Sequence, residues 1–293
     1  MNSADDHVAW VGEFTVGSVA KRLEIPVATL RSWNQRYGIG PSRHAPGRHR
    51  YYTREDIAVV VRMVELVRAG ATPASAAQAA RATSAPISAL EDVPAILAAA
   101  QRLDPAELLP AIVAHFSHHG VVDTWNLLCR PVFAAIIDRQ DAGAGFIDVE
   151  HMLSWAVTSA LHRVAPLLRD AARYPPILLA CTGGEQHTLP LEVLRAALAE
   201  HGEPAVFLGQ SVPDSALTDA LARQQRAPVV VLWAQTPDTA RLRTIVAAQP
   251  RAARLLLAGP GWSAGARPPG VGHLDSLEDA VAELTRERSA QQH

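Results

Sequence analysis

The residues best placed to do chemistry stand in one stretch, Ala180-Cys181-Thr182-Gly183-Gly184-Glu185-Gln186-His187-Thr188-Leu189-Pro190. An apolar run, Pro176 to Ala180, precedes it and a helical pattern, Leu191 to Glu200, follows it. A strand that ends in a Gly-rich turn and enters a helix puts His187 at the C-terminal edge of a sheet, where open α/β sheets bind ligands. Catalysis has little support, because no nucleophile elbow and no Ser/His/Asp constellation appears. Gly183-Gly184 does not complete the G-x-G-x-x-G fingerprint of dinucleotide binding. Cys129 and Cys181 are too few for a disulfide framework or a thiolate metal site, and read as small buried residues. His115 and His119 have the i, i+4 spacing of metal ligands on one helix face, with His118 beside them. No carboxylate or cysteine lies near them in sequence, so the expectation there is a solvated helix C-terminus favoured by the helix dipole.

The elements that must position His187 begin at Pro176. Buried strands are expected at Ile177–Cys181, Ala205–Gly209, Val229–Trp233 and Leu255–Ala258. Helices are expected at Leu191–Glu200, Asp214–Arg223, Thr239–Ala248 and Leu277–Glu287. Continuous apolar strands alternating with helices predict a parallel sheet covered on both faces. The loops after the strands carry Gly183-Gly184, Gly209-Gln210-Ser211, Ala234-Gln235-Thr236 and Gly259-Pro260-Gly261. Small residues there would let a bulky ligand approach the backbone, so Gly209, Ser211, Gln235, Gly259 and Gly261 join the candidate pocket. Upstream, four Ala/Leu-rich amphipathic stretches, Val93–Gln101, Pro105–His118, Val121–Arg139 and Asp148–Leu168, predict a four-helix bundle. Trp125 and Trp155 fall mid-helix and are expected in its core.

The first third of the chain differs in charge. From Phe14 to Arg54 eight basic residues face one acid, an excess of seven, on a 293-residue chain of net charge −2. A basic block on an otherwise acidic chain suggests a polyanion-binding head. Thr15 can cap a helix with Val16, Val19, Ala20 and Leu23 at helical spacing; Pro26 can open a second helix to Tyr37, with Leu30, Trp33 and Tyr37 on one face. This is a helix-turn-helix pattern, with Thr29, Arg31, Ser32, Asn34 and Arg36 offered to phosphates and base edges and Trp33 packed beneath. Gly38 to Tyr52 reads as two short arms around Pro46-Gly47, a basic wing carrying Arg43, Arg48 and Arg50 with Tyr51 and Tyr52 at its base. Thr53 then caps a helix from Ile57 to Ala69, and Thr72 to Ala82 makes one more.

Apolar content of 48% with 19% charged residues excludes long disorder, and no apolar run approaches membrane-spanning length. The start of the chain has no basic-then-apolar signal pattern, so the expectation is an untargeted cytoplasmic protein. The expected organisation is an arm (1–12), a DNA-binding head (13–82), a linker (83–93), a helical cap (94–173) and a Rossmann-like sheet domain (174–288).

Residues 13–82 resemble the N-terminal domain of MerR-type transcription regulators. The match rests on Val16, Val19-Ala20, Thr29-Leu30-Arg31-Ser32-Trp33, Arg36-Tyr37-Gly38, Arg48, Arg50-Tyr51-Tyr52 and Asp56-Ile57. The resemblance implies binding of double-stranded operator DNA as a dimer, with the second helix in the major groove and the wing along the backbone. Residues 94–287 resemble the cobalamin-binding module of methionine synthase and of light-responsive MerR-type repressors of the CarH/LitR type. The family's axial-ligand motif, an acid, any residue, His, two more and Gly, stands here as Glu185-Gln186-His187-Thr188-Leu189-Pro190.

The resemblance implies that His187 is the lower axial ligand to cobalt, with Glu185 beside it. It also implies that Gly202, Gly209, Gly259 and Gly261 surround a buried nucleotide tail, and that Glu150-His151 faces the upper side of the corrin. Pro190 replaces the motif glycine, and Gln140 stands where the relatives carry a Trp that packs against an adenosyl group. The implied cofactor is therefore adenosylcobalamin or another cobalamin, with room for a second chromophore. The implied function is a non-enzymatic repressor whose C-terminal half senses cobalamin, and through it light, by changing a homo-oligomer, dimer or tetramer, and its operator binding. A MerR-type regulator with a vestigial or repurposed pocket, or one regulated by a partner, is the alternative.

Overall fold

A computed structural model describes residues 14–41, 51–82, 92–168, 175–262 and 268–290. The wing arginines Arg43, Arg48 and Arg50, the arm, and most of the linker lie outside these residues.

In the head, Thr15 accepts from the Ser18 amide and starts α1 (Val16–Arg22). Glu24, at φ 55°, turns the chain into α2 (Val27–Tyr37). Pro26 is the extended N-cap of α2 and not its first helical residue. Gly38 closes α2 in the left-handed region, at φ 66°. Val19, Ala20, Leu30 and Trp33 are buried together, so the expected apolar spacing does form the core. A capping box starts α3 (Arg54–Arg68): the Asp56 amide donates to Thr53 Oγ1 and the Thr53 amide to Asp56 Oδ2. Such a cap contributes about 1 kcal/mol and moves the start three residues ahead of Ile57. α4 (Pro73–Ala82) completes the head. An antiparallel bridge between Phe14 and Tyr52 ties its first residues to the foot of the wing.

The bundle comprises α5 (Val93–Gln101), α6 (Pro105–His119), α7 (Val121–Thr124), α8 (Arg130–Asp141) and α9 (Ile147–Val164). The helix expected over Val121–Arg139 is broken by a π-helical turn, Trp125–Cys129. Pro131 supplies a reason: it has no N–H to donate to the carbonyl four residues back, and a wider turn absorbs the mismatch. α9 starts at Ile147 from a left-handed Phe146, one residue before the expected Asp148.

The last domain holds β1 (Ile177–Cys181), α10 (Leu189–Glu200), β2 (Ala205–Phe207), α11 (Asp214–Ala222), β3 (Val229–Trp233), α12 (Leu242–Ala248), β4 (Arg254–Ala258), β5 (Val271–Leu274) and α13 (Leu277–Ala290). The sheet is parallel throughout, in the order β2-β1-β3-β4-β5. β5 was not expected, because Val271-Gly272-His273-Leu274 carries neither an apolar run nor alternation. The helix expected from Thr239 begins at Leu242; Thr236 to Arg241 form a turn instead. Side chains of β1 and β3 alternate between two cores. Cys181, Val231 and Ala258 face α10, α13 and the bundle; Leu178, Val230 and Leu232 face α11 and α12.

Helix α10 joins the parts. Near its start Glu192 bonds His162 of α9, and at its end Glu200 accepts from the Val121 amide of α7. Just beyond, a Cβ on Gly202 would stand 3.9 Å from Ala69 at the end of α3.

Candidate functional site

The order β2-β1-β3 places a topological switch point between β1 and β3, and the loops at their carboxyl ends form the expected ligand crevice. The β1 loop crosses to the β3 loop through hydrogen bonds. The Thr182 amide donates to Trp233 O, and Thr182 Oγ1 donates to Thr239 O at 2.7 Å. Gly184 takes φ 90° and donates its amide to Ser211 Oγ, and the Ser211 amide returns to Glu185 O.

Glu185 is the centre of this lacing, with a side chain only 1% exposed. Its Oε1 accepts from the His187 amide (2.8 Å) and from His187 Nδ1 (2.6 Å). Its Oε2 accepts from the Gln235 amide (2.7 Å) and Thr239 Oγ1 (2.6 Å). Burial pushes the carboxyl pKa up, but these four donors outweigh it and hold the group at about 2. A carboxylate that accepts from Nδ1 fixes the neutral tautomer with its lone pair on Nε2. The ring itself is 60% exposed. A buried, ionised orienting group behind an outward nitrogen is the donor arrangement of an axial metal ligand, so these residues fit a tetrapyrrole cobalt. Pro190, in the first turn of α10, sits where its ring suits a helix start and leaves this geometry intact.

The remaining pocket residues divide. Gln235 contributes its backbone amide to Glu185, and Gly209 has open space where a side chain would stand. Gly259, half-buried, and Gly261, buried, pack against the β3 loop. A Cβ on either would lie 2.4 Å from the carbonyl oxygen of Ala234 or Thr236, so their space is taken by the β3 loop. Thr239 was not legible in the sequence, since no spacing connects it to Glu185 before the sheet brings β1 and β3 together; Thr182 stands in the same stretch as Glu185, but its bond to Thr239 O forms only across that pairing.

On the cap, Gln140 Nε2 donates to Glu150 Oε2 at 2.7 Å, so the two predicted cap positions do meet. His151 lies one helical face away, in an open depression of about 540 Å³ with Leu103, Ile147, Asp148, Met152 and Trp155. Trp155 is not core: it is 49% exposed. Trp155 and His151 share a stripe of α9 with His162, whose Nε2 lies 3.1 Å from Glu192 Oε2 one turn into α10.

Of the three histidines of α6, His118 and His119 lie half-buried in its last turn, and His115 departs from expectation. His115 is 1% exposed with neither ring nitrogen paired, and stacks on His119 at 5.8 Å. Burial, then the neighbouring His119, lowers its pKa. No group of three or more metal-ligating side chains gathers among the described residues.

In the head, Arg31 and Arg36 are exposed on α2, as is Tyr51 at the wing's foot, while Thr29, Ser32 and Tyr37 are half-buried. Asn34 folds against Gly40, where a Cβ would come within 2.3 Å of its amide group, so it braces the turn after α2. No described helix is long and apolar enough to cross a membrane.

Comparison with known proteins agrees with both halves. Residues 14–83 match the MerR HTH family regulatory protein family. The chain is similar to the HTH-type transcriptional repressor CarA of Myxococcus xanthus, 28% identical over 74% of this chain and 75% of that one. It is also similar to the repressor CarH of the same organism, 25% identical over 68% of this chain and 72% of that one. Among solved structures, the Methanosarcina barkeri monomethylamine corrinoid protein shares the fold at a TM-score of 0.52 and 14% identity, covering 66% of this chain and 96% of that one.

Proposed function

We propose that this chain, a MerR-type regulator with a C-terminal module of the cobalamin-binding fold, is a transcriptional repressor that senses a corrinoid through His187. The observation that carries the reading is the Glu185–His187 pair, which leaves an exposed Nε2 at the switch point of the sheet. A bound corrinoid would supply a light-sensitive cobalt centre. His187 would hold this group, and Trp155, Ile147 and His151 of α9 would offer it apolar and polar cover. Gln140, paired to Glu150, gives the cap a polar position where the relatives have an aromatic one. Trp155 supplies an aromatic surface elsewhere on the same bundle.

Coupling to the head runs along α10, whose 12 residues span about 18 Å. Its first turn follows His187, and its last meets α7 and the end of α3. A ligand that draws the His187 turn and α9 together shifts α10 against the head, and with it the homo-oligomer that presents the heads to operator DNA. Such coupling requires the ligand to bind the two arrangements with different affinity. The DNA itself is held by Arg31 and Arg36 of α2 and by the wing arginines Arg43, Arg48 and Arg50.

The test selects operator sequences from random duplex DNA with the full-length protein. Binding and elution volume are then compared without ligand, with aquocobalamin or diaquocobinamide in the dark, and after illumination. The proposal expects affinity and oligomer size to move with ligand, and with light where the ligand is photolabile. Identical behaviour in every state would assign the chain to ligand-independent DNA binding with a vestigial pocket.

A further inference from the structure

Cobalamin carries a nucleotide tail beneath its corrin, ending in a benzimidazole that ligates cobalt. A protein imidazole that takes this position displaces the base, which then needs a place to be buried below the ring. On the reading above, the space below the ring is the carboxyl edge of this sheet. The last rung of that edge is Cys181, Trp233 and Ala258, paired side by side across β1, β3 and β4. Neighbours in register point to the same face, so the Trp233 indole lies with Cys181 and Ala258 against the core shared with α10 and α13. Cys181 Sγ donates to His187 O at 3.7 Å, and Trp233 is the register neighbour of Cys181, its backbone one strand spacing, about 4.8 Å, away. The indole also fills the space beside Gly259: a Cβ there would meet its Cδ2 at 3.2 Å. Its Nε1–H is buried without a partner, although a buried indole N–H ordinarily finds one. The opposite face of this edge is closed by Trp262, 6% exposed, whose Nε1 donates to Leu232 O.

We propose that Trp233 occupies the place a displaced base would need, and that this pocket selects corrinoids without a nucleotide base, of the cobinamide class, over cobalamin. The inference rests on His187 ligation, and the experiment separates the two. Full-length protein is titrated in the dark with diaquocobinamide and with aquocobalamin, following the visible spectrum, for the natural chain, Trp233→Ala, Trp233→Phe and His187→Ala. The natural chain is expected to bind cobinamide tighter by roughly tenfold to a hundredfold, the value of burying or failing to bury one aromatic group. Trp233→Ala removes most of that preference, and Trp233→Phe, which keeps the bulk, retains it. The natural chain needs no substitution for the first comparison, so a poorly folded variant does not blunt the test. Cobalamin binding as tightly as cobinamide with a His187-dependent spectrum overturns the role of Trp233 and leaves the ligand reading standing. No His187-dependent spectrum with either corrinoid overturns both.

Discussion

Replacing Glu185 with Gln keeps the size of the side chain and changes its hydrogen-bonding sense. The carboxylate accepts four hydrogen bonds in a site closed to water, and a shift of its pKa from 4.5 to about 2 corresponds to about 3 kcal/mol of folded-state stability near neutral pH. A glutamine cannot accept on both ends. If its carbonyl faces His187, its NH2 opposes the Gln235 amide, which has no other role than donor. If its NH2 faces His187, the backbone amide there loses its acceptor, and the ring is driven to the tautomer with its proton on Nε2. Either way one buried N–H is left unpaired, which costs roughly 1 to 3 kcal/mol and agrees with the figure from the pKa. Because the folded pKa is depressed, this stability is present above pH 4.5 and disappears as the pH falls toward 2. Urea unfolding of Glu185→Gln and of the natural chain, followed by tryptophan fluorescence, should therefore differ by about 3 kcal/mol at pH 7, with the gap closing as the medium is acidified below pH 4.5. A variant as stable as the natural chain at pH 7, or a gap that does not change between pH 7 and pH 3, would refute the reasoning.

Other expectations follow from the same structure. His115→Leu should leave stability at pH 7 unchanged or raise it, since it removes two unpaired buried nitrogens. His115 has a lowered folded pKa, so its stability cost appears as the pH falls below about 6.5, the ordinary histidine value; the leucine variant should lose that part of the decline in a thermal series from pH 7.5 to 5. In the head, Arg31→Ala and Arg48→Ala should each weaken operator binding and reduce the slope of log affinity against log salt by about one. Unchanged slopes in a salt titration would remove both from the phosphate footprint.

Much of the fold was legible in local sequence. Ile177–Cys181, Val229–Trp233 and Val93–Gln101 fall at the residues their apolar patterns mark, because burial on both faces or one stripe writes itself directly into residue type. What depended on tertiary packing was hidden. The Val271–Leu274 strand exists because β4 offers a free edge, and the break at Trp125 reflects Pro131 inside an otherwise regular pattern. Trp155 and His115 traded places with expectation: residue type put the indole inside and the imidazole in solvent, and the packing of α9 and α6 did the reverse. At the site, His187 and Glu185 could be picked out by a three-residue motif, whereas Thr239, 54 residues from Glu185, is joined to it only by the parallel pairing of β1 and β3.

The central claim is that His187 Nε2 is a ligand to a corrinoid cobalt, and the visible spectrum tests it most directly. Protein purified in the dark is mixed with diaquocobinamide or aquocobalamin, freed of excess by gel filtration, and its absorption compared with that of His187→Ala. The account predicts a retained corrin band, displaced from that of the free corrinoid in the natural chain and undisplaced or lost in the variant. A protein that retains no corrin, or one whose band is the same with alanine at position 187, contradicts it.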